Sequence, residues 1–256
     1  MNDNDLLVER REGVLWLTIN RPERRNAMSA AVLEGMAAAM AGAAGDASLR
    51  AIVVTGAGDQ AFCSGADLQS GRSFQFDYSR PTVDFANLLR AARRTEIPLV
   101  ARVNGACMAG GMGLLAMCDI AVASSKAVFG LPEVKVGLFP MQVLAVLQHL
   151  IPRRVLNEMC ITGEPINAHD AQMVGLVNHI ADDLDAKTDW LLSRIVDKSP
   201  TAIRRGLYAM KRIDDMAFEE AIAFAESQIG LVAMTEDARE GQAAFKEKRK
   251  PVWTGR

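Results

Sequence analysis

The chain has 256 residues, half of them hydrophobic, with 29 basic and 31 acidic side chains and a formal charge of −2 at pH 7. That length can bury a full core as one domain plus an appendage, and the near-neutral balance gives no global electrostatic case for nucleic acid as a partner. No 18-residue apolar span is present, so no membrane-crossing helix is expected, and the opening MNDNDLLVERREG has acids but no apolar core of a secretory signal.

In chain order, Val14 to Ile19 (VLWLTI) is β-rich and ends at the turn signal Asn20-Arg21-Pro22. Ser29 is a candidate cap for a helix with apolar positions at Val32, Leu33, Met36 and Met40. AIVVT at 51–55 reads as a buried strand, as do Leu99 to Val103 and Ile120 to Ala123. Residues 69–82 look like a surface loop with aromatics. After about Met141 the chain turns helical, with breaks at Pro152, Pro165 and Pro200. Strands alternating with helical stretches, followed by helices alone, predict an α/β core over 1–195 and a helical region over 196–256.

Two segments carry the chemistry. AFCSGADL at 61–68 and NGACMAGGMGLLAMCDI at 104–120 each set a small-residue turn beside an apolar element. Gly65 allows a backbone conformation closed to larger residues, and Ala66 leaves its own N–H uncovered. Gly110 and Gly111 stand just before the apolar run Met112 to Met117, at the expected start of a helix. The first N–H groups of a helix lack intrahelical partners, and the dipole there favours negative charge. Two such turns can each give one N–H to a single oxygen that gains charge, which is the geometry of an oxyanion hole. Taken singly, either turn reads as ordinary punctuation.

Other motifs compete. TGAGDQA at 55–61 follows a strand and fits G-x-G-x-x-A, but Phe-Cys-Ser-Gly after it is a poor helix start, which weighs against a dinucleotide site. The histidines (His149, His169, His179) form no HExxH, and no GxSxG elbow accompanies Ser64. The four cysteines (Cys63, Cys107, Cys118, Cys160) lack CxxC spacing and read as reduced thiols of a cytoplasmic protein. Cys63 has two readings, a nucleophile beside the turn or a small space-filling residue. The absence of a nearby histidine favours the second.

With NRPERRNAMS at 20–29, FGLPEVKVGLFP at 129–140 and AAFKEKRKP at 243–251, these motifs resemble the crotonase family, also called the enoyl-CoA hydratase/isomerase superfamily. The resemblance runs nearly end to end. It implies a spiral of ββα-type turns and a helical C-terminal trimerisation region, in a homotrimer or a dimer of trimers. It also implies an acyl-CoA thioester substrate, with CoA as the carrier portion of that substrate and neither metal nor separate cofactor. The thioester oxygen would sit on the N–H groups of Ala66 and Gly110, and Glu133 would be the catalytic acid/base. CoA contacts carry over to Arg24, Arg25, Ala66, Asp67 and Leu68, and to Phe245 and Lys248 acting on a neighbouring subunit. Arg24, Arg25 and the basic run around Lys248 also read as plain surface charge.

One departure matters. Well-studied hydratases of this family place a second glutamate three residues after the second oxyanion glycine, where this chain has Gly113. Met141 likewise stands where other branches use an aspartate. Glu133 is thus the sole acid/base residue that carries over. Hydration must deliver hydroxide to Cβ and a proton to Cα. A 3,2-enoyl isomerisation moves only a proton and needs one carboxylate. Breadth of similarity favours an enoyl-CoA hydratase, chemistry favours the isomerase, and a non-catalytic acyl-CoA- or RNA-binding member of the fold is the reading from another class. Phe74, Phe76, Tyr78 and Phe85 are candidates either for lining an acyl pocket or for packing the loop.

Overall fold

A hairpin opens the chain. Strands β1 (Leu6–Arg11) and β2 (Val14–Ile19) pair antiparallel across Glu12 and Gly13, both at positive φ (48° and 79°). Two left-handed residues in a two-residue loop match the twist of the flanking strands. The computed structural model describes residues 5–67, 79 and 82–256.

Helix α1 (Ala30–Ala43) follows, with the Ser29 hydroxyl accepting from the Val32 N–H at 3.3 Å. Val32, Met36 and Met40 are buried, as their spacing predicts. The chain then repeats one pattern. A longer strand enters a large sheet, a three-residue strand enters a small sheet, and a helix returns. β3 (Ala51–Gly56) leads to β4 (Ala61–Cys63) and, further on, α2 (Asp84–Arg94). β5 (Leu99–Val103) leads to β6 (Ala106–Met108) and α3 (Gly110–Ala116). β7 (Ile120–Ser124) leads to β8 (Val128–Gly130), a 3-10 turn at Pro132–Val136 and α4 (Met141–Leu147). The rest of the core is α5 (Arg153–Thr162), β9 (Ile166–Asn167), α6 (Ala168–Met173), β10 (His179–Ala181) and α7 (Leu184–Val196).

The large sheet runs β1-β2-β3-β5-β7-β10 and the small one β4-β6-β8-β9. Apart from the β1/β2 and β8/β9 pairs, neighbouring strands are parallel. This is the expected spiral of ββα turns. Alternation decides which residue faces where. Ile52 and Val54 point into the main core, between the sheets and helices, while Ala51 and Val53 join Leu191, Leu192 and Ile195 of α7 on the other face. Both faces are covered, which is why β3 reads as an unbroken apolar run.

Three helices close the chain: α8 (Pro200–Ile213), α9 (Phe218–Ala233) and α10 (Glu236–Glu247). α8 is tied back to the core. The Arg204 guanidinium donates to the carbonyls of Asp46 and Leu49, and Lys211 donates to the Thr95 carbonyl at 2.8 Å and pairs with Asp119 at 3.3 Å. Among the described residues, no helix is long and apolar enough to cross a membrane.

The short strands β4, β6, β8, β9 and β10 differ from the sequence reading, which gave no strands there. Three residues are too few to show a period of two. They are strands because a neighbour supplies the hydrogen bonds, as when Cys63 stands opposite Cys107 and Cys107 opposite Phe129.

Candidate active site

The small sheet ends in two turns that meet. Beyond β4, Gly65 has φ 104°, and its carbonyl accepts from the Met28 N–H at 2.8 Å. The Asp67 N–H donates back to the Met28 carbonyl at 3.1 Å, leaving Ala66 between two pinned residues. Beyond β6, Ala109 takes φ 51° and ψ −124°, a conformation costly for a residue with a Cβ. Its N–H donates to the Gly130 carbonyl at 2.9 Å, which holds the turn open. α3 then starts at Gly110, whose N–H is among those a helix leaves without an internal partner.

The two turns are in contact. A Cβ on Gly65 would lie 3.3 Å from the Gly110 nitrogen, and a Cβ on Gly110 would lie 3.9 Å from the Ala66 nitrogen. Glycine is required at 65 for its φ and for this approach, since its Cβ would stand 2.8 Å from that of Ala109. At Gly111 a Cβ would strike the Cys63 carbonyl at 2.3 Å, so α3 also packs hard on the end of β4. Ala66 and Gly110 are half-buried, within reach of a ligand. Among the described residues, the Ala66 and Gly110 N–H groups donate no hydrogen bond.

Glu133 stands in the 3-10 turn after β8, which Gly137 closes at φ 75°. Its carbonyl accepts from the Leu138 N–H at 3.0 Å. Its side chain is half-buried, with Oε2 enclosed and lacking a hydrogen-bond partner among the described residues. Burial pushes the carboxyl above its ordinary pKa, and the same charge helps raise the nearby Cys160 thiol on α5. An enclosed carboxylate oxygen with nothing to accept from is poised to take a proton.

Gly113 lies buried on α3, three residues after Gly110. A Cβ there would meet Cζ of Phe85 at 2.7 Å and Cγ2 of Val143 at 3.4 Å. Cys63 is fully buried, and burial pushes its thiol up to about 12, so it is a space-filling residue and not a nucleophile. The stretch after β3 runs through a bend into β4 and opens no helix, which removes the dinucleotide reading of 55–61.

Of the other candidates, Arg24 and Arg25 are exposed, and their carbonyls accept from Ser64, so their turn docks beside the 61–67 segment. The Asp67 carboxylate points to Arg21 at 2.7 Å. Leu68, like Phe74, Phe76 and Tyr78, lies outside the described residues. Phe245 and Lys248 sit at the exposed end of α10, on the helical region. His149 and His169 are exposed, and His179 packs edge-on against Trp190.

Sequence reading passed over three residues that build the site. The Arg21 guanidinium joins Asp5 at 3.2 Å, Asp67 at 2.7 Å and the Ala27 carbonyl at 2.6 Å. The fully buried Asn26 side chain donates to the Ala57 and Ala61 carbonyls and accepts from the Arg21 N–H. Asn104 donates to the Gly58 and Ala61 carbonyls and accepts from the Gly56 N–H. Asn26 was legible in part, because asparagine after a Pro-containing turn tolerates its φ of 54°.

The sequence profile of the enoyl-CoA hydratase/isomerase family matches residues 9–256. The chain belongs to this family, the crotonases. It is 37% identical to enoyl-CoA hydratase EchA19 of Mycobacterium tuberculosis, covering 98% of this chain and 97% of that one. It is 32% identical to the 2,3-dehydroadipyl-CoA hydratase of Escherichia coli, covering 99% and 100%. Among solved structures, an enoyl-CoA hydratase from Mycobacterium smegmatis superposes with a TM-score of 0.91 at 37% identity, over 97% of this chain and 98% of that one. Crotonases act on acyl-CoA substrates, so the two meeting turns and Glu133 belong to a crotonase-family acyl-CoA enzyme.

Proposed function

We propose that this crotonase is an enoyl-CoA hydratase that holds the thioester oxygen on the N–H groups of Ala66 and Gly110 and moves protons with Glu133. The meeting of the two turns carries the reading. Strained backbone at Ala109 and an irreplaceable glycine at 65 are costs that make sense where two donors must converge.

The chemistry follows from charge. Water attacks Cβ of the 2-enoyl thioester, and the Cα–Cβ π pair moves toward the carbonyl, whose oxygen becomes enolate-like. Donors fixed beforehand stabilise that charge without reorganising. Glu133 takes the proton from the attacking water, and the enolate collapses by taking a proton from it at Cα. Its raised pKa suits both directions, because a carboxyl nearer neutrality gives as readily as it takes. CoA enters as the carrier portion of the substrate. Arg24, Arg25 and Asp67 form the near side of its binding path, and Phe245 and Lys248 reach a neighbouring subunit in a homotrimer or a dimer of trimers. The protein works in the cytoplasm.

A second reading, 3,2-enoyl-CoA isomerisation, is favoured by Gly113, which supplies no second carboxylate. There Glu133 removes a proton from Cα of the 3-enoyl thioester and returns it at Cγ, through a dienolate whose oxygen sits on the same two donors. Loss of the conjugated enoyl absorbance of crotonyl-CoA, with the 3-hydroxyacyl thioester as product, supports the hydratase. Conversion of 3-enoyl to 2-enoyl thioester without hydration supports the isomerase. Neither change, with acyl-CoA still bound, leaves a non-catalytic binder.

A further inference from the structure

The ring of Phe85 occupies the space that a side chain at residue 113 would take. Its Cζ is 2.7 Å and its Cε1 3.4 Å from where a Cβ on Gly113 would stand. Side chains on a helix tilt toward its N-terminus. A group on that face of α3 therefore leans toward Gly110, one turn back, in the turn that touches the one bearing Ala66. Also beside the slot is Val143 of α4, the helix that begins five residues after the turn bearing Glu133. Phe85 thus fills the space beside Gly113, one helical turn from Gly110.

The ring is held in place. Phe85, Leu88 and Ala92 share one face of α2 at helical spacing, and Leu88 and Ala92 are buried. The far end of α2 is fastened by Lys211, which donates to the Ala92 and Thr95 carbonyls, and by the Arg93–Asp215 pair at 2.6 Å.

We propose that Phe85 is the specificity-determining residue at the thioester end of the acyl site. Its ring walls the slot over Gly113, excludes bulky substituents on the carbons next to the thioester, and leaves that side of the substrate facing hydrocarbon, with no side chain of α3 able to enter. The proposal rests on the reading that the thioester oxygen is held at Ala66 and Gly110. It does not depend on which reaction Glu133 performs.

The test compares Phe85→Ala, Phe85→Leu, Gly113→Ala and Phe85→Leu/Gly113→Ala. For each, kcat/KM is measured with a linear thioester of the class that wild type turns over, crotonyl-CoA for hydration or a 3-enoyl-CoA for isomerisation, and with its α- and β-methyl-branched analogues. Phe85→Ala should raise the branched-to-linear ratio by about tenfold or more, the scale on which a pocket discriminates one methyl group. Gly113→Ala should lose activity by driving the ring out of its slot, and Phe85→Leu should restore it in the double variant. Circular dichroism checks folding, and Phe85→Leu carries the ratio measurement should the alanine variant fail to fold. A branched-to-linear ratio equal to wild type in a folded Phe85 variant overturns the proposal, as does a double variant no better than Gly113→Ala. The underlying reading is tested separately by Gly110→Pro. Normal turnover there rejects the donor pair even if Phe85 governs the ratio.

Discussion

At Glu133 an enclosed carboxylate oxygen without a hydrogen-bond partner among the described residues coincides with a raised pKa. Glu133→Gln should keep acyl-CoA binding and lower turnover by at least ~100-fold, the usual scale of acid–base catalysis. Near-normal turnover in the folded variant would remove the assignment. The acid limb of the wild-type kcat/KM profile should lie above the ordinary glutamate value of about 4.3 and vanish from the residual activity of the variant. Stability follows with a definite sign. A carboxyl raised on folding contributes stability that is fully present below its unfolded pKa and is lost as pH rises through its folded pKa. Across that window Glu133→Gln should gain stability relative to wild type as pH rises, read from urea midpoints at several pH values. At Gly110 the lost group would be a donor. Proline is tolerated at the first position of a helix but has no N–H. Gly110→Pro should cost about 2.7–4 kcal/mol of barrier. Because proline also restricts the strained Ala109 before it, Gly110→Ala is the control. It keeps the N–H, and the tightest contact of its Cβ would be the flexible end of Met28, at 2.6 Å, with the Gly65 Cα and the Ala66 nitrogen at ordinary contact distances of 3.7 and 3.9 Å. Equal rates in the folded proline and alanine variants would exclude the N–H from the chemistry.

Among the elements, the Arg21 clamp holds the first turn in place by joining Asp5 to Asp67 and to the Ala27 carbonyl. The Arg21 and Asp67 side chains keep only 13% and 11% of their surface exposed, so this pair is largely shielded from water. Breaking a buried pair by removing one partner costs about 3–5 kcal/mol, and the residual exposure places Arg21→Ala at the lower end. Urea unfolding should show that loss. An unchanged midpoint would mean that the turn is held by the Met28 backbone bonds alone. The longer elements were legible in the sequence because each carries its own signal. α1 has Ser29 and a helical apolar spacing, and β3 has an apolar run buried on both faces. β4, β6 and β8 carry none, since three residues acquire strand geometry from their neighbours. The start of α3 was legible from its glycines, but Ala109 gave no hint of its positive φ, because alanine is an ordinary residue in any pattern.

For the whole molecule, large apolar side chains remain exposed on the final helices and around the Glu133 turn. Phe218 is 75% exposed, Met234 70%, Phe245 86% and Met141 71%. Such surface calls for a partner copy. Light scattering should give three or six times the 27.7 kDa chain mass. A fully active monomer would reject both the assembly and a CoA site shared with Phe245 and Lys248 of a neighbour. The sequence by itself determined the α/β-then-helical order and the two glycine turns, because these depend on residue type and local spacing, and its resemblance to the crotonases pointed to Glu133. Only the tertiary structure decided that the turns bearing Ala66 and Gly110 touch, that Arg21 and Asn26 brace the first of them, and that Phe85 fills the space above Gly113. Those are contacts between residues about 28 to 46 positions apart, set by how the spiral stacks its turns, and no local pattern in the chain encodes them.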